Sequence, residues 1–349
     1  MKNKAKNQNS PWVRRIAVAL ACLLAGGLVL AAWLLMGPNT RAFGDKKYFY
    51  VRTGSNYQDV LEGLKEQGII GSAATFNIVA KKLDYPARVK AGRYEIKKGM
   101  SNLEIVRALR SGRQAPVRLV INKLRTKDDF VRLVSRNLEA DSLTMQALLQ
   151  DPVYLRQFGL DTNTVMSAVM PDTYEFFWNT SAVKVFEKLE NNYEKFWTDE
   201  RKSKATTLGL SPAEVTILAS IVEEETNRHD EKPAMASVYL NRLRTGMRLG
   251  ADPTVKFALK NFALKRIRGE HLEYDSPYNT YRYSGLPPGP ICTPSAKSID
   301  AVLTPADTEY LYFCARPDYS GYHDFASNYR EHMQNARAYQ KWLNSRNIK

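Results

Sequence analysis

The sequence predicts an α+β protein in three parts: one N-terminal transmembrane helix, a small βααβ module, and a larger mixed α/β domain. Three observations carry this reading. An uncharged apolar run, Ile16–Met36, follows a purely basic tail. Period-two and helical patterns then alternate between Lys47 and Ile96. Beyond Val117 helical periodicity dominates, broken by an aromatic segment and a proline-rich loop. The expected boundaries are a tail at 1–15, a membrane helix at 16–36, a linker at 37–46, the module at 47–116 and the larger domain at 117–346, its core at 209–335.

At ~1.5 Å per residue the run Ile16–Met36 is roughly 31 Å long, one hydrocarbon thickness. Lys2, Lys4, Lys6, Arg14 and Arg15 precede it without an acidic residue, which places the tail in the cytoplasm and residues 37–349 outside. The run is longer than a signal-peptide core, and Leu34-Leu35-Met36-Gly37-Pro38 is a poor cleavage site, so a retained anchor is expected.

The formal net charge is +15, and the tail supplies only part of it. Outside a membrane, a basic surface meets anionic headgroups and acidic wall polymers. The basic residues are dispersed, and no nucleic-acid partner is expected. Of the three cysteines, Cys22 lies in the apolar run; Cys292 and Cys314 are read as free thiols, with a disulfide as the alternative. The four histidines show no metal-ligand spacing, and neither metal nor cofactor is implied.

In chain order, Lys47–Arg52 alternates as a strand, Tyr57–Gln67 and Ala73–Leu83 read as helices, and Val89–Ile96 as a second strand. A helix at Ser101–Arg110 and a strand at Val117–Ile121 follow. Residues 125–207 are mainly helical around Met170–Trp178, an aromatic-rich loop or strand whose Phe176 and Phe177 are expected in the core. Lys232–Thr245 forms a helix ended by Gly246, and Ala251–Pro253 starts a turn. Gly285-Leu286-Pro287-Pro288-Gly289-Pro290-Ile291 is a stiff track, either a surface for an extended ligand or a rigid connector. Tyr310–Ala315 reads as a buried strand and Asn328–Leu343 as a terminal helix.

The chemistry concentrates at Glu223-Glu224-Glu225, which end an apolar helix begun by the capping box Ser211-Pro212-Ala213-Glu214. At about 100° per residue, with Val215 at 0°, the apolar residues through Val222 centre near 280°. Glu225 falls at about 280°, Glu224 at about 180° and Glu223 at about 80°. Glu225 therefore extends the apolar stripe below Ile221 and Val222 and is the candidate for a raised pKa. Glu223 points away and is a candidate structural partner; Glu224 is expected to be solvated. The alternative is a frayed helix end with all three in water.

The second half resembles the endolytic murein transglycosylase family, also called MltG or YceG-like. The resemblance rests on Leu218–Thr226, Ala236–Leu243, Gly246–Leu249 running into Asp252-Pro253-Thr254-Val255, Tyr278-Asn279-Thr280-Tyr281, Gly285–Ile291 and Tyr310–Phe313, in order along roughly residues 170–335. It implies that the small module is LysM-like, that the larger domain is catalytic, and that Glu225 is the catalytic acid. It also places Glu223, Asn241, Asp252, Tyr278, Asn279 and Thr280 around the cleft. Gly250 stands where the family usually has Gln, and Thr293-Pro294-Ser295 where it has Asn-Pro-Gly.

What the resemblance implies chemically is cleavage of the β-1,4 bond between N-acetylmuramic acid and N-acetylglucosamine in peptidoglycan, leaving a 1,6-anhydro sugar. One carboxyl suffices for that reaction, whereas a muramidase-type hydrolase would need a second, Asp252 or Glu223. The implied location is the cell inner (cytoplasmic) membrane, single-pass, with the catalytic domain periplasmic. Penicillin-binding proteins or other cell-wall synthases are the protein partners it suggests. A silent glycan-binding scaffold is the competing class.

Overall fold

A computed structural model describes residues 11–41, 43–264 and 266–346. The expected tail cations Lys2, Lys4 and Lys6 lie outside the described residues. The chain mixes helices with three two-stranded sheets among those residues. It divides into two compact units: residues up to Val117 with Phe177–Asn179, and Arg118–Phe176 with the chain from Thr180 onward.

In the first unit the apolar run forms the helix Pro11–Met36, which begins earlier than the uncharged stretch because Pro11 suits a first helical turn. Pro38, lacking an N–H, cannot prolong it. Its apolar side chains stand exposed, Leu23 at 73 %. Pro11–Trp33 is long and apolar enough by itself to cross a bilayer.

The same unit folds as strand, two helices and strand. Lys46–Val51 pairs antiparallel with Gly92–Lys97, bringing Phe49 opposite Tyr94. Tyr57–Glu66 and Ala73–Lys82 lie between them, capped by Asn56 and Ser72. Phe49, Leu64, Phe76, Tyr94 and Ile96 form the core, joined by Leu109 of the helix Asn102–Ser111. The second strand starts at Gly92 rather than Val89. The Arg88 N–H bonds back to the Tyr85 carbonyl in a turn, and Gly92 takes φ +146°, so Val89–Ala91 stay outside the ladder. Residues Phe177–Asn179 return here: Trp178 packs edge-on against Tyr50, and Gln114 bonds Asn179.

The second unit is built around the helix Pro212–Glu225. Ser211 and Glu214 close its capping box, and Val215 through Val222 are all buried. The helices Lys232–Arg244 and Ala296–Leu303 pack against it. The proline-rich track is irregular and belongs to this scaffold, since the Ile291 N–H donates to the buried Ser220 hydroxyl at 3.0 Å. Gly289 is required there, because any Cβ would run into the Asn163 carbonyl.

Several sequence expectations change in this unit. Ala251–Pro253 opens the helix Asp252–Ala258 instead of a turn, with Pro253 in its first turn. The strand Tyr312–Ala315 is shorter than expected and half-buried, because its partner His323–Ala326 makes only a small sheet. Asp172–Phe176 is a strand that pairs with Val117–Ile121. Phe176 is buried, but Phe177 stands exposed. The chain's last described helix is Tyr329–Ser345. Cys292 and Cys314 are free.

Candidate active site

The three glutamates end the central helix and diverge. Because eight successive residues before them are buried, the helix has no solvent face, and phase does not decide their fate. Their partners do.

Glu223 does not point into water. Its Oε2 accepts from Lys232 Nζ at 2.8 Å and Ser295 Oγ at 2.7 Å, and from the Ser298 hydroxyl. Lys232 is itself only 1 % exposed. Burial pushes the Glu223 carboxyl up, but Lys232 and the two serines outweigh it and hold it below the usual range. Ser295, one of the departures from the family pattern, thus contributes directly to this network.

Glu224 is not solvated either. The Arg125 guanidinium grips it through Nε at 3.0 Å and Nη2 at 2.9 Å, and Lys123 lies 3.1 Å away. Burial again works upward, and the Arg125 bond and Lys123 charge leave the carboxyl ionised below its ordinary pKa. Sequence phase missed both partners because they come from a segment a hundred residues earlier in the chain.

Glu225 alone receives no cation hydrogen bond among the described residues. Its Oε1 accepts from the hydroxyl of fully buried Tyr239 at 2.6 Å. Burial raises its pKa to about 7; the Tyr239 bond opposes the rise and the Asp252 charge adds to it. The carboxyl opens on a cleft of about 530 Å³ whose walls include Asp252, Tyr281, Arg242, Tyr312 and Phe313.

Of the residues expected around the cleft, the structure brings Glu225 and Asp252 together. The Tyr281 hydroxyl donates to Asp252 Oδ1 at 2.6 Å. Thr280 is buried and accepts from the Ala251 N–H, fixing the start of the helix that presents Asp252. Asn279 is also buried: its amide donates to the Leu272 and Tyr274 carbonyls, and its Oδ1 accepts from the Tyr281 N–H. Asn241 donates to the Thr308 and Tyr310 carbonyls and anchors the segment leading to Tyr312. Tyr278 turns elsewhere, stacking obliquely on Phe257 at 4.7 Å. Gly250 lines the cleft at φ +56°, beside Arg242 and Tyr281.

Tyr239 and Tyr281, which touch the two carboxylates, escaped the sequence reading although both lie in the quoted motifs. The available signal was Tyr239 within an otherwise apolar helical stretch, since a buried phenol needs a hydrogen-bond partner.

Fold and cleft together define a class: a mixed α+β protein with an N-terminal apolar helix and a carboxylic acid held near neutrality against an aromatic wall. The profile of the YceG-like family matches residues 49–338, and the chain belongs to that family. It is 28% identical to an endolytic murein transglycosylase of Bacillus subtilis (strain 168), over 94% of this chain and 93% of that one. It is 27% identical to the protein of that name in Streptococcus pneumoniae serotype 2 (strain D39), over 93% of this chain but 64% of the longer relative. A crystal structure of a YceG-like protein from Listeria monocytogenes superposes with a TM-score of 0.56 at 28% identity, covering 83% of this chain and 99% of that one.

Proposed function

We infer that the chain is a membrane-anchored endolytic murein transglycosylase, with Glu225 as its single general acid and base. The carrying observation is the Glu225 carboxyl: at the end of a buried helix, open to the cleft, and raised to about 7 while its neighbours are held ionised. With Oε1 accepting from Tyr239, Oε2 is the atom to carry the proton. Glu225 gives that proton to the glycosidic oxygen as the bond to the muramic C1 breaks. The carboxylate then takes the proton of the muramic C6 hydroxyl as its oxygen closes on C1. The products are a free N-acetylglucosamine hydroxyl and a 1,6-anhydromuramic end, with no water consumed. General acid–base catalysis of this kind contributes about 10²–10⁴-fold. Asp252, hydrogen-bonded by Tyr281, is the negative group best placed to face the positive charge that develops at C1.

The names borne by the curated relatives and the family match support this reading. On it, the first unit carries a LysM-like glycan-binding module, and the apolar helix anchors the chain in the inner membrane with the second unit outside. Asn241, Asn279 and Thr280 act as positioning residues, and cell-wall synthases are the protein partners to seek.

Asp252 in the same cleft also favours one second reading, a hydrolase that uses it as the second carboxylate. Digestion of purified sacculi, with product ends read by mass, separates the two: anhydro ends support transglycosylation and reducing ends hydrolysis. Glu225→Gln is expected to remove either activity while the protein stays folded, and near-normal product release by that variant would sink the assignment.

A further inference from the structure

The helix Asp252–Ala258 presents Asp252 to the Glu225 cleft and Phe257 to a different cavity of about 410 Å³. That volume lies in the range of small-molecule sites. Arg125, which holds Glu224 by its guanidinium fork, forms part of the wall. Arg125 thus ties this wall to the residue that precedes Glu225 in the central helix. Its lining is chemically distinct from that of the cleft. Lys127 and Lys260 supply positive charge against one acidic lining residue, Asp128. Neither lysine takes part in an ion pair among the described residues; Lys127 donates to the Thr162 carbonyl at 3.0 Å, which orients it and leaves its other protons available. Gln146 and Gln150 add two side-chain amides, and the Phe257 and Tyr278 rings add an apolar wall.

Cations suit a carboxylate, amides pair with peptide N–H and C=O groups, and ring faces suit small methyl-bearing residues. A neutral sugar would use none of the charge, and on a peptide-bearing muramic acid the lactyl carboxyl is tied up as an amide. We propose that this cavity binds a carboxylate-bearing peptide attached to the glycan strand whose sugars occupy the Glu225 cleft, so that the enzyme selects peptide-substituted strands over bare ones. The proposal rests on the transglycosylase reading for the identity of the strand. Tyr278, which lines this cavity and not the Glu225 cleft, acquires a role here.

The test uses full-length protein with Glu225→Gln, in detergent, titrated calorimetrically with a muramyl pentapeptide and with the bare sugar, the same muramyl unit with its lactyl carboxyl capped as a simple amide in place of the peptide. Adding Lys127→Gln and Lys260→Gln together is expected to weaken pentapeptide binding at least tenfold and leave the bare sugar unchanged. Lys260→Gln alone, at an exposed position, is the control against misfolding and is expected to give part of the loss. Equal pentapeptide binding in all three proteins overturns the proposal. With Glu225 restored, the double substitution is expected to raise KM on intact strands, but not on strands stripped of peptide by an amidase and then capped as simple amides at the exposed lactyl carboxyls; an equal rise on both overturns it. Lysine-dependent pentapeptide binding by a protein that cuts no glycan keeps this site and removes the catalytic reading. Cleavage without such binding does the reverse.

Discussion

Neighbours of opposing sign set the Glu225 pKa, with the Lys256 and Arg242 charges adding a smaller downward pull. Burial and the Asp252 charge raise its pKa; the Tyr239 hydroxyl lowers it. As a general acid it must start protonated, so turnover is expected to decline as pH rises through about 7. Tyr239→Phe removes the lowering bond and is expected to move that alkaline limb to higher pH. Asp252→Asn removes a raising charge and is expected to move it to lower pH. Profiles of kcat against pH for the three proteins decide this, and shifts of the same sign in both variants would refute the assignment of the limb to Glu225. The same carboxyl affects stability. Its folded pKa lies above the unfolded one, so stability falls as pH rises from about 4.5 to about 7 and is flat beyond. Glu225→Gln is therefore expected to be more stable than the parent at pH 8, by up to about 3 kcal/mol, and little different at pH 4. Urea melts at the two pH values measure it.

The central helix depends on partners brought from other elements. Lys232 sits on the following helix, is buried, and bonds both Glu223 and Ser298 of the helix Ala296–Leu303. It therefore ties three helices together behind the acid. Lys232→Met would leave the Glu223 charge with only neutral donors, the Ser295 and Ser298 hydroxyls and the Ser295 N–H, at a cost of about 3 kcal/mol or more. Glu223 and Glu224 have the opposite pH sign to Glu225. Their folded pKa values are lowered, so the stability they contribute is present above the normal carboxylate range and lost as pH falls through their folded values. The Lys232→Met penalty is accordingly expected to shrink in acid, and a penalty independent of pH would mean that the charge pair is not its source. Glu223→Gln is expected to keep part of the activity, since Glu223 faces the helices and not the cleft. At this scale the sequence was only partly legible. The capping box at Ser211 announced its helix correctly. The start of Gly92–Lys97 and the helix at Asp252 were misjudged, because a glycine φ and a proline in a first turn look alike whether they end one element or begin another.

For the whole molecule, the apolar helix is exposed from Pro11 to Trp33, which in water would be unfavourable and in lipid is not. Full-length protein is expected to stay with membranes through alkaline carbonate washing, and a version beginning after Met36 to be released. Retention of the shortened form would show that the basic exterior binds the surface unaided.

The sequence by itself determined the apolar N-terminal helix, the alternation that builds the small module, the helix carrying three glutamates, and Glu225 as the one to examine. These follow from local periodicity, capping and composition, which act over a few residues. Only the tertiary structure decided why Glu225 differs from Glu223 and Glu224. Helical phase assigned Glu225 to an apolar stripe, yet the helix is buried on every side, and the distinction comes from Lys232, Arg125 and Tyr239. The same holds for Asn279 and Thr280, whose side chains are spent on backbone groups, and for Tyr278, which faces another cavity. A carboxyl's pKa is set by charges and dipoles a few ångströms away. Which distant residues supply them depends on how the helices pack.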